Sequence, residues 1–323
     1  MRAASRIRKF LLISILSLAP VAASLADKPR VIASIKPIHS LVAGVMQGIG
    51  SPELLISGGQ SPHAFTLRPS DARKLNRAKL LFWVGEELEA PLERIIETLG
   101  DDIQAIALTG AEGMELLPIR EGGVWEEHQH DDEHEHEEHA HADKEHHQGT
   151  NPHIWLSPEN AAQIVRLAQQ ELSSIDPDNT ARYQANATTM LRRISQLDMA
   201  IKEKIEAVSG AKYIVFHDAY PYFEHHYKLT PVGSVTLSPE RIPGARRIKE
   251  LRNKVRSLGA SCVFSEPQFE PKLVQTITEG TEAATGILDP LGAELPPGTE
   301  AYFNLMHNLA NALVDCLGKR GDR

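Results

Sequence analysis

From residue 30 onward, short apolar runs rich in β-branched residues alternate with stretches of helical periodicity. The runs are Val31 to Ile35, Glu53 to Ser57, Leu80 to Val84 and Ile103 to Leu108, with helices expected near Ser40 to Met46, Ser70 to Arg77 and Glu87 to Leu99. Strand and helix in turn predict a parallel sheet with helices on both faces. The same alternation returns later. Strands are expected at Tyr213 to Phe216, Leu229 to Val235, Cys262 to Ser265 and Gly286 to Leu288, and helices at Ala245 to Leu258, Pro271 to Glu279 and Thr299 to Leu317. Between the two blocks, Ser157-Pro158-Glu159 reads as a helix start, with Ser as N-cap and Pro in the first turn. That helix ends near Ser174. A longer one follows over 179–208, where Tyr183, Ala187, Met190, Ile194, Leu197, Ile201, Ile205 and Val208 recur at three- and four-residue spacing. At 1.5 Å per residue it would be about 45 Å long, enough to run from one lobe to the other. The fold class expected is therefore α/β: two lobes, 27–178 and 209–323, each a mostly parallel sheet flanked by helices, joined by one long helix. No sequence repeat between the lobes is evident.

Two segments stand outside this pattern. Arg2, Arg6, Arg8 and Lys9 precede an apolar stretch from Phe10 to Val21, and Ser24-Leu25-Ala26 offers small residues where a signal peptidase reads. This is the layout of a cleavable secretory signal over 1–26, and the apolar stretch is too short to span a bilayer. The second segment, 121–148, holds His128, His130, His134, His136, His139, His141, His146 and His147 among eleven acidic residues and one lysine. So little apolar surface cannot offset ordering entropy, so a disordered insertion in a surface loop is expected, with auxiliary metal contact as its chemistry. Its His130 to His134 stretch fits an H-x-x-E-H pattern, which a His- and Glu-rich run produces by chance and without a helix to orient it.

Composition adds less. Hydrophobic residues make up 41% and charged residues 24%, an ordinary globular balance. Loss of the signal's four cations would move the formal charge from −9 to −13, which disfavours nucleic acid and anionic lipid as partners and suits a cation. In an exported chain, the two cysteines, Cys262 and Cys316, read as a disulfide ahead of two buried thiols. Closing that loop is worth about 4 kcal/mol on the chain-entropy estimate.

In open α/β sheets ligands bind beyond the carboxyl ends of the strands. That rule selects His63 after the second strand, His153 on the approach to a helix, His217 at the end of Tyr213 to Phe216, and Asp289 after Ile287-Leu288. Three neutral imidazoles with a carboxylate or a water make a four-coordinate, borderline-soft site that suits Zn²⁺; Mn²⁺ and Ca²⁺ prefer more oxygen. Against this, a single His after a strand is commonly a hydrogen-bonded core or surface residue, and Asp before Pro is commonly a turn residue. Glu266, after Cys262 to Ser265, is a partner for orienting a ligand His, or an alternative fourth ligand. His39 is expected to be structural, and His225, His226 and His307 to lie on the surface. A zinc hydrolase would need a base beside the metal, for which Glu266 alone is evident; a metal buffer would act through the His-rich segment.

Five stretches carry a resemblance to a known family: SPHAFTLRPSDARKLNRAKLLFWVGEELE from Ser61, NPHIWLSPENA from Asn151, YIVFHDAYPYFEHHYKLTP from Tyr213, CVFSEPQFEP from Cys262 and GILDPLG from Gly286. Together they make the chain similar to the periplasmic zinc-binding proteins of bacterial high-affinity zinc ABC transporters, within the zinc and manganese solute-binding proteins. The resemblance implies a rigid linker helix with small lobe movements, zinc ligands at His63, His153 and His217, and pairing of Cys262 with Cys316. Manganese members carry an acid where His217 stands. Some zinc members place Glu before the first ligand His, where this chain has Pro62, leaving Asp289 or a water as fourth ligand. The expected partner is the membrane permease of a zinc ABC transporter, with an accessory periplasmic zinc chaperone as a further candidate. The chain is expected to be a periplasmic monomer, embedded in no membrane, bound to no nucleic acid, and not an enzyme.

Overall fold

The computed structural model describes residues 28–318, apart from 58, 101–102, 121–148, 237–238, 240–242 and 271. The expected signal and all eight histidines of the insertion lie outside the described residues.

The first block forms β1 (Val31–Ala33), α1 (Lys36–Val45), β2 (Glu53–Leu54), α2 (Pro69–Leu75), β3 (Leu80–Trp83), α3 (Glu86–Leu99) and β4 (Gln104–Ala107). The strands pair in parallel in the order β2-β1-β3-β4, with Val31 opposite Leu80 and Leu80 opposite Gln104. β1 and β3 are wholly buried, which is why they read as continuous apolar runs. The chain then passes through α4 (Pro158–Ile175) and the long α5 (Thr180–Ile205). Ser157 caps α4 by accepting from the Asn160 backbone N–H at 3.2 Å. The second block is β5 (Lys212–His217), α6 (Pro221–Tyr227), β6 (Thr230–Thr236), α7 (Ala245–Leu258), β7 (Cys262–Ser265), α8 (Lys272–Thr278), β8 (Ala284–Ile287) and α9 (Ala301–Leu317). Its parallel order is β6-β5-β7-β8, the same arrangement as in the first sheet. The architecture thus repeats although no sequence repeat announces it.

The two lobes share one core. The stripe Tyr183, Ala187, Met190, Ile194, Leu197, Ile201 and Ile205 is buried along α5, against α1, α4 and α9. All ten residues of α1 are buried. Gly44 makes room there for the Met190 side chain, whose Sδ a Cβ would meet at 2.3 Å and displace. On the second sheet, Tyr213 and Val215 join this common core, while Ile214 and Phe216 face a separate cluster with Leu251, Val255 and Val274. That division is the period-two alternation of a strand buried on both sides. Polar ties cross between the lobes: Lys36 donates to the carbonyls of Gly292 and Ala293 at 2.5 and 2.8 Å, and the Trp155 indole to that of Pro290 at 2.8 Å. Cys262 and Cys316 form a disulfide with Cα atoms 6.2 Å apart, linking β7 to α9.

Local differences from the sequence reading have physical causes. α1 starts a turn earlier than expected because Pro37 sits in its first turn, where no N–H is needed. α3 contains Pro91 and is kinked at Glu89, whose φ −123° and ψ 44° are not helical. The edge strand β2 is shorter than the apolar run suggested. Among the described residues, no helix is long and apolar enough to cross a membrane.

Candidate metal centre

Three separate devices bring three histidines to one place. His63 lies in a 3₁₀ turn, Pro62–Ala64, packed against α3. His153 opens the 3₁₀ turn Ile154–Leu156 that feeds α4. His217 is the last residue of β5, at the crevice between β5 and β7 where the strand order of the second sheet reverses. The ring centroids are 5.5 Å apart for His63 and His153, 5.8 Å for His63 and His217, and 5.1 Å for His153 and His217. One ligating nitrogen from each lies within 4.8 Å of the others. The space among them is about 10 Å³, walled by Trp155, Phe269 and Leu291, room for about one water-sized occupant.

The hydrogen bonds fix which nitrogens face inward. His217 Nδ1 is 2.7 Å from Glu266 Oε1, and His153 Nδ1 is 2.9 Å from Asn151 Oδ1. Both partners are acceptors, so each Nδ1 carries the proton and each Nε2 presents a lone pair. Those two Nε2 atoms are 3.2 Å apart, and His63 Nε2 is buried without a partner among the described residues. Converging lone pairs on buried rings repel one another. A cation is the group that relieves this, and neutral imidazoles are the donor set Zn²⁺ accepts. Burial, then the neighbouring His217, pushes the His63 pKa down to about 3. Burial also holds His153 well below its ordinary range, reinforced by His217 and His63. Both rings are thus kept in the ligating, uncharged form.

The remaining sequence candidates fall elsewhere. The structure does not bring Asp289 into this group. Its Oδ1 accepts from the backbone N–H groups of Leu291 and Gly292 at 3.0 and 2.9 Å, and its Oδ2 from Ala293 at 2.6 Å. Asp289 therefore shapes the turn whose carbonyls Lys36 and Trp155 grip. Glu266, 2% exposed, also lines this pocket and meets His217 at Nδ1 rather than Nε2, 2.7 Å away. His39 is buried with Nε2 3.0 Å from the Pro52 carbonyl, a structural role. His225 is exposed, 3.6 Å from Glu115. His226 is less exposed than its sequence position suggested, held between Glu159 at 2.9 Å and Asp198 at 2.7 Å. Sequence reading missed Asn151. The available signal was an amide side chain two residues before a candidate ligand, in Asn151-Pro152-His153. It also missed Arg120, whose guanidinium pairs with the buried Asp218 and, at 2.7 Å, with Glu224.

Comparison with known proteins finds relatives along nearly the whole chain. The family model described as zinc-uptake complex component A, periplasmic, matches residues 31–316. The high-affinity zinc uptake system protein ZnuA of Brucella suis biovar 1 is 43% identical over 314 residues, 91% of this chain and 93% of that protein. Its counterpart in Yersinia pestis is 36% identical over 289 residues, 89% and 91% of the two chains. Among solved structures, a crystal structure of ZnuA gives a TM-score of 0.73 at 22% identity, covering 90% of this chain and 100% of that one. FpvC from Pseudomonas aeruginosa with Mn²⁺ gives 0.74 at 19% identity, covering 90% and 99%. At such identities these structures speak to the fold alone.

Proposed function

The chain belongs to the family of periplasmic A components of zinc-uptake complexes, and from that premise we propose that it captures Zn²⁺ between its lobes and delivers it to the membrane permease of an ABC-type importer. His63, His153 and His217 hold the ion through Nε2, and a water completes the tetrahedron. Glu266 and Asn151 orient two of the rings from behind. Asp289 is left out of the ligand set because both its oxygens are spent on backbone N–H groups. The observation that carries the reading is the convergence of three nitrogens within 4.8 Å of one another in a small pocket, that of His63 buried and without a partner among the described residues. The protein works by binding and handing over its cargo, as a solute-binding component rather than an enzyme. Export through a cleavable signal over 1–26 places it in the periplasm.

The rival reading, a buffer acting through 121–148, is separated by one experiment. Zinc titrations of the mature chain and of a chain lacking 121–148, against a chelator of known affinity, should both retain one tight site. Alanine at His63, His153 or His217 should abolish it. Loss of the tight site on deleting the segment would favour the buffer. An unchanged tight site in one of the alanine variants would remove that residue from the ligand set.

A further inference from the structure

We propose that Asn151 is the positioning residue that registers the two lobes at the metal centre, its amide oxygen setting the His153 ring and its amide nitrogen holding the backbone next to His217. The proposal rests on the reading of His153 and His217 as zinc ligands. The orientation of the amide is forced by its surroundings. The His153 backbone N–H, which can only donate, meets Asn151 Oδ1 at 3.1 Å. The same Oδ1 receives His153 Nδ1–H at 2.9 Å. Nδ2, on the other end, donates to the Asp218 carbonyl at 2.7 Å. Asn151 is 2% exposed, so these bonds are not shared with solvent. Its own backbone is pinned as well: its N–H donates to the Leu117 carbonyl at 2.9 Å, and its carbonyl accepts from the Tyr222 hydroxyl of α6 at 2.8 Å.

The consequence is a short bracket. His153 is two residues from Asn151 on one lobe, Asp218 is one residue from His217 on the other, and the Nδ2 bond closes the gap. Among the described residues other ties also cross the lobes, and one comes near a ring: the Trp155 and His153 ring centroids are 5.3 Å apart. Lys36 and Trp155 grip the turn at 290–293, and Arg120 grips the carboxylates of Asp218 and Glu224. Glu266 orients His217 from within its own lobe. Asn151 joins, through hydrogen bonds at both ends of one amide, the His153 ring to the backbone beside His217, whose Nε2 lies 3.2 Å from that of His153. Asparagine is suited to this because the job needs an acceptor and a donor on one planar group. Aspartate offers only acceptors, and alanine offers neither.

The test compares Asn151→Ala and Asn151→Asp in the full mature chain. Two quantities are read at pH 7.5: zinc affinity of the tight site by chelator competition, and the tautomer of His153 from nitrogen chemical shifts of the ¹⁵N-histidine-labelled, metal-free protein. For Asn151→Ala we expect loss of the Nδ1–H signature and zinc binding about 10- to 100-fold weaker, the range for losing an outer-shell partner. Asn151→Asp should keep the Nδ1–H signature, because the acceptor remains. It should still bind at least about tenfold more weakly, because a carboxylate oxygen now faces the Asp218 carbonyl. A merely structural role would not separate tautomer from affinity in this way. Wild-type affinity or an intact Nδ1–H signal in Asn151→Ala would overturn the proposal. So would recovery of wild-type affinity in Asn151→Asp, which also decides the matter if the alanine variant does not fold. A His153→Ala variant that still binds tightly would instead overturn the ligand reading underneath.

Discussion

Proton competition offers a quantitative test of the buried ring cluster. A zinc site built from three solvated imidazoles with an ordinary pKa near 6.5 loses about five- to sixfold in affinity per ring between pH 6.5 and 5.5, or about 170-fold for all three. The protein changes this arithmetic. His63 is held down to about 3 by burial and then by His217, and burial keeps His153 well below 6.5. At pH 5.5 these two rings are still neutral, so zinc has at most one proton to displace. Affinity should therefore fall by no more than about tenfold over that unit. The assay is competition with a chelator whose own proton and zinc constants are known, from pH 7.5 to 5.5. It is best done on the chain lacking 121–148, which removes eight further imidazoles. A slope approaching three protons per zinc would refute the reasoning, because it would mean the rings are solvated. The same burial has a stability cost in the metal-free protein. His63 and His153 bind protons more readily when unfolded, so stability present above about pH 6.5 is lost as pH falls through the range toward 3.

Three further outcomes follow from the same structure. Glu89 is fully buried, and desolvation lifts its carboxyl to about 7 against the backbone N–H groups of Val84 and Gly85. Its contribution to stability should decline by about 3 kcal/mol as pH rises from 4.5 to 7, so Glu89→Gln should flatten urea-unfolding stability over that window; an unchanged pH dependence would contradict this. Glu266→Gln keeps an acceptor for His217 Nδ1 but removes the charge, and should weaken zinc binding by about tenfold with little change in unfolding midpoint. Replacing Cys262 and Cys316 with serine should cost about 2–4 kcal/mol in denaturant unfolding while leaving zinc affinity within a few-fold, since the bridge joins β7 to α9 away from the rings.

The sequence disclosed most where one physical constraint dominates a long stretch. The buried stripe of α5 has a single period over seven positions and was readable residue by residue. β7 was readable to its ends because both its faces are buried. His63, His153 and His217 could be singled out because each lies at or just beyond the end of a strand or on the approach to a helix, where α/β folds bind ligands. Other features depend on which partners a side chain finds in the folded chain. Asp289 has the residue type and position of a ligand, yet nearby backbone N–H groups of residues 291–293 claim it. Asn151 begins the Asn151-Pro152-His153 stretch, but the sequence does not show that its amide meets the Asp218 carbonyl of the other lobe. The common order of the two sheets was hidden for a similar reason: strand order depends on where helices cross over, and unrelated apolar residues can satisfy it.

The central claim is that one zinc ion is held by imidazoles from both lobes. Its most direct measurement is a crystal structure of the zinc-loaded protein with anomalous differences recorded at the zinc edge. The account predicts one strong peak with Nε2 of His63, His153 and His217 at about 2.0–2.1 Å and a single oxygen as fourth ligand. A cleft without anomalous signal while zinc is bound elsewhere on the chain would contradict it.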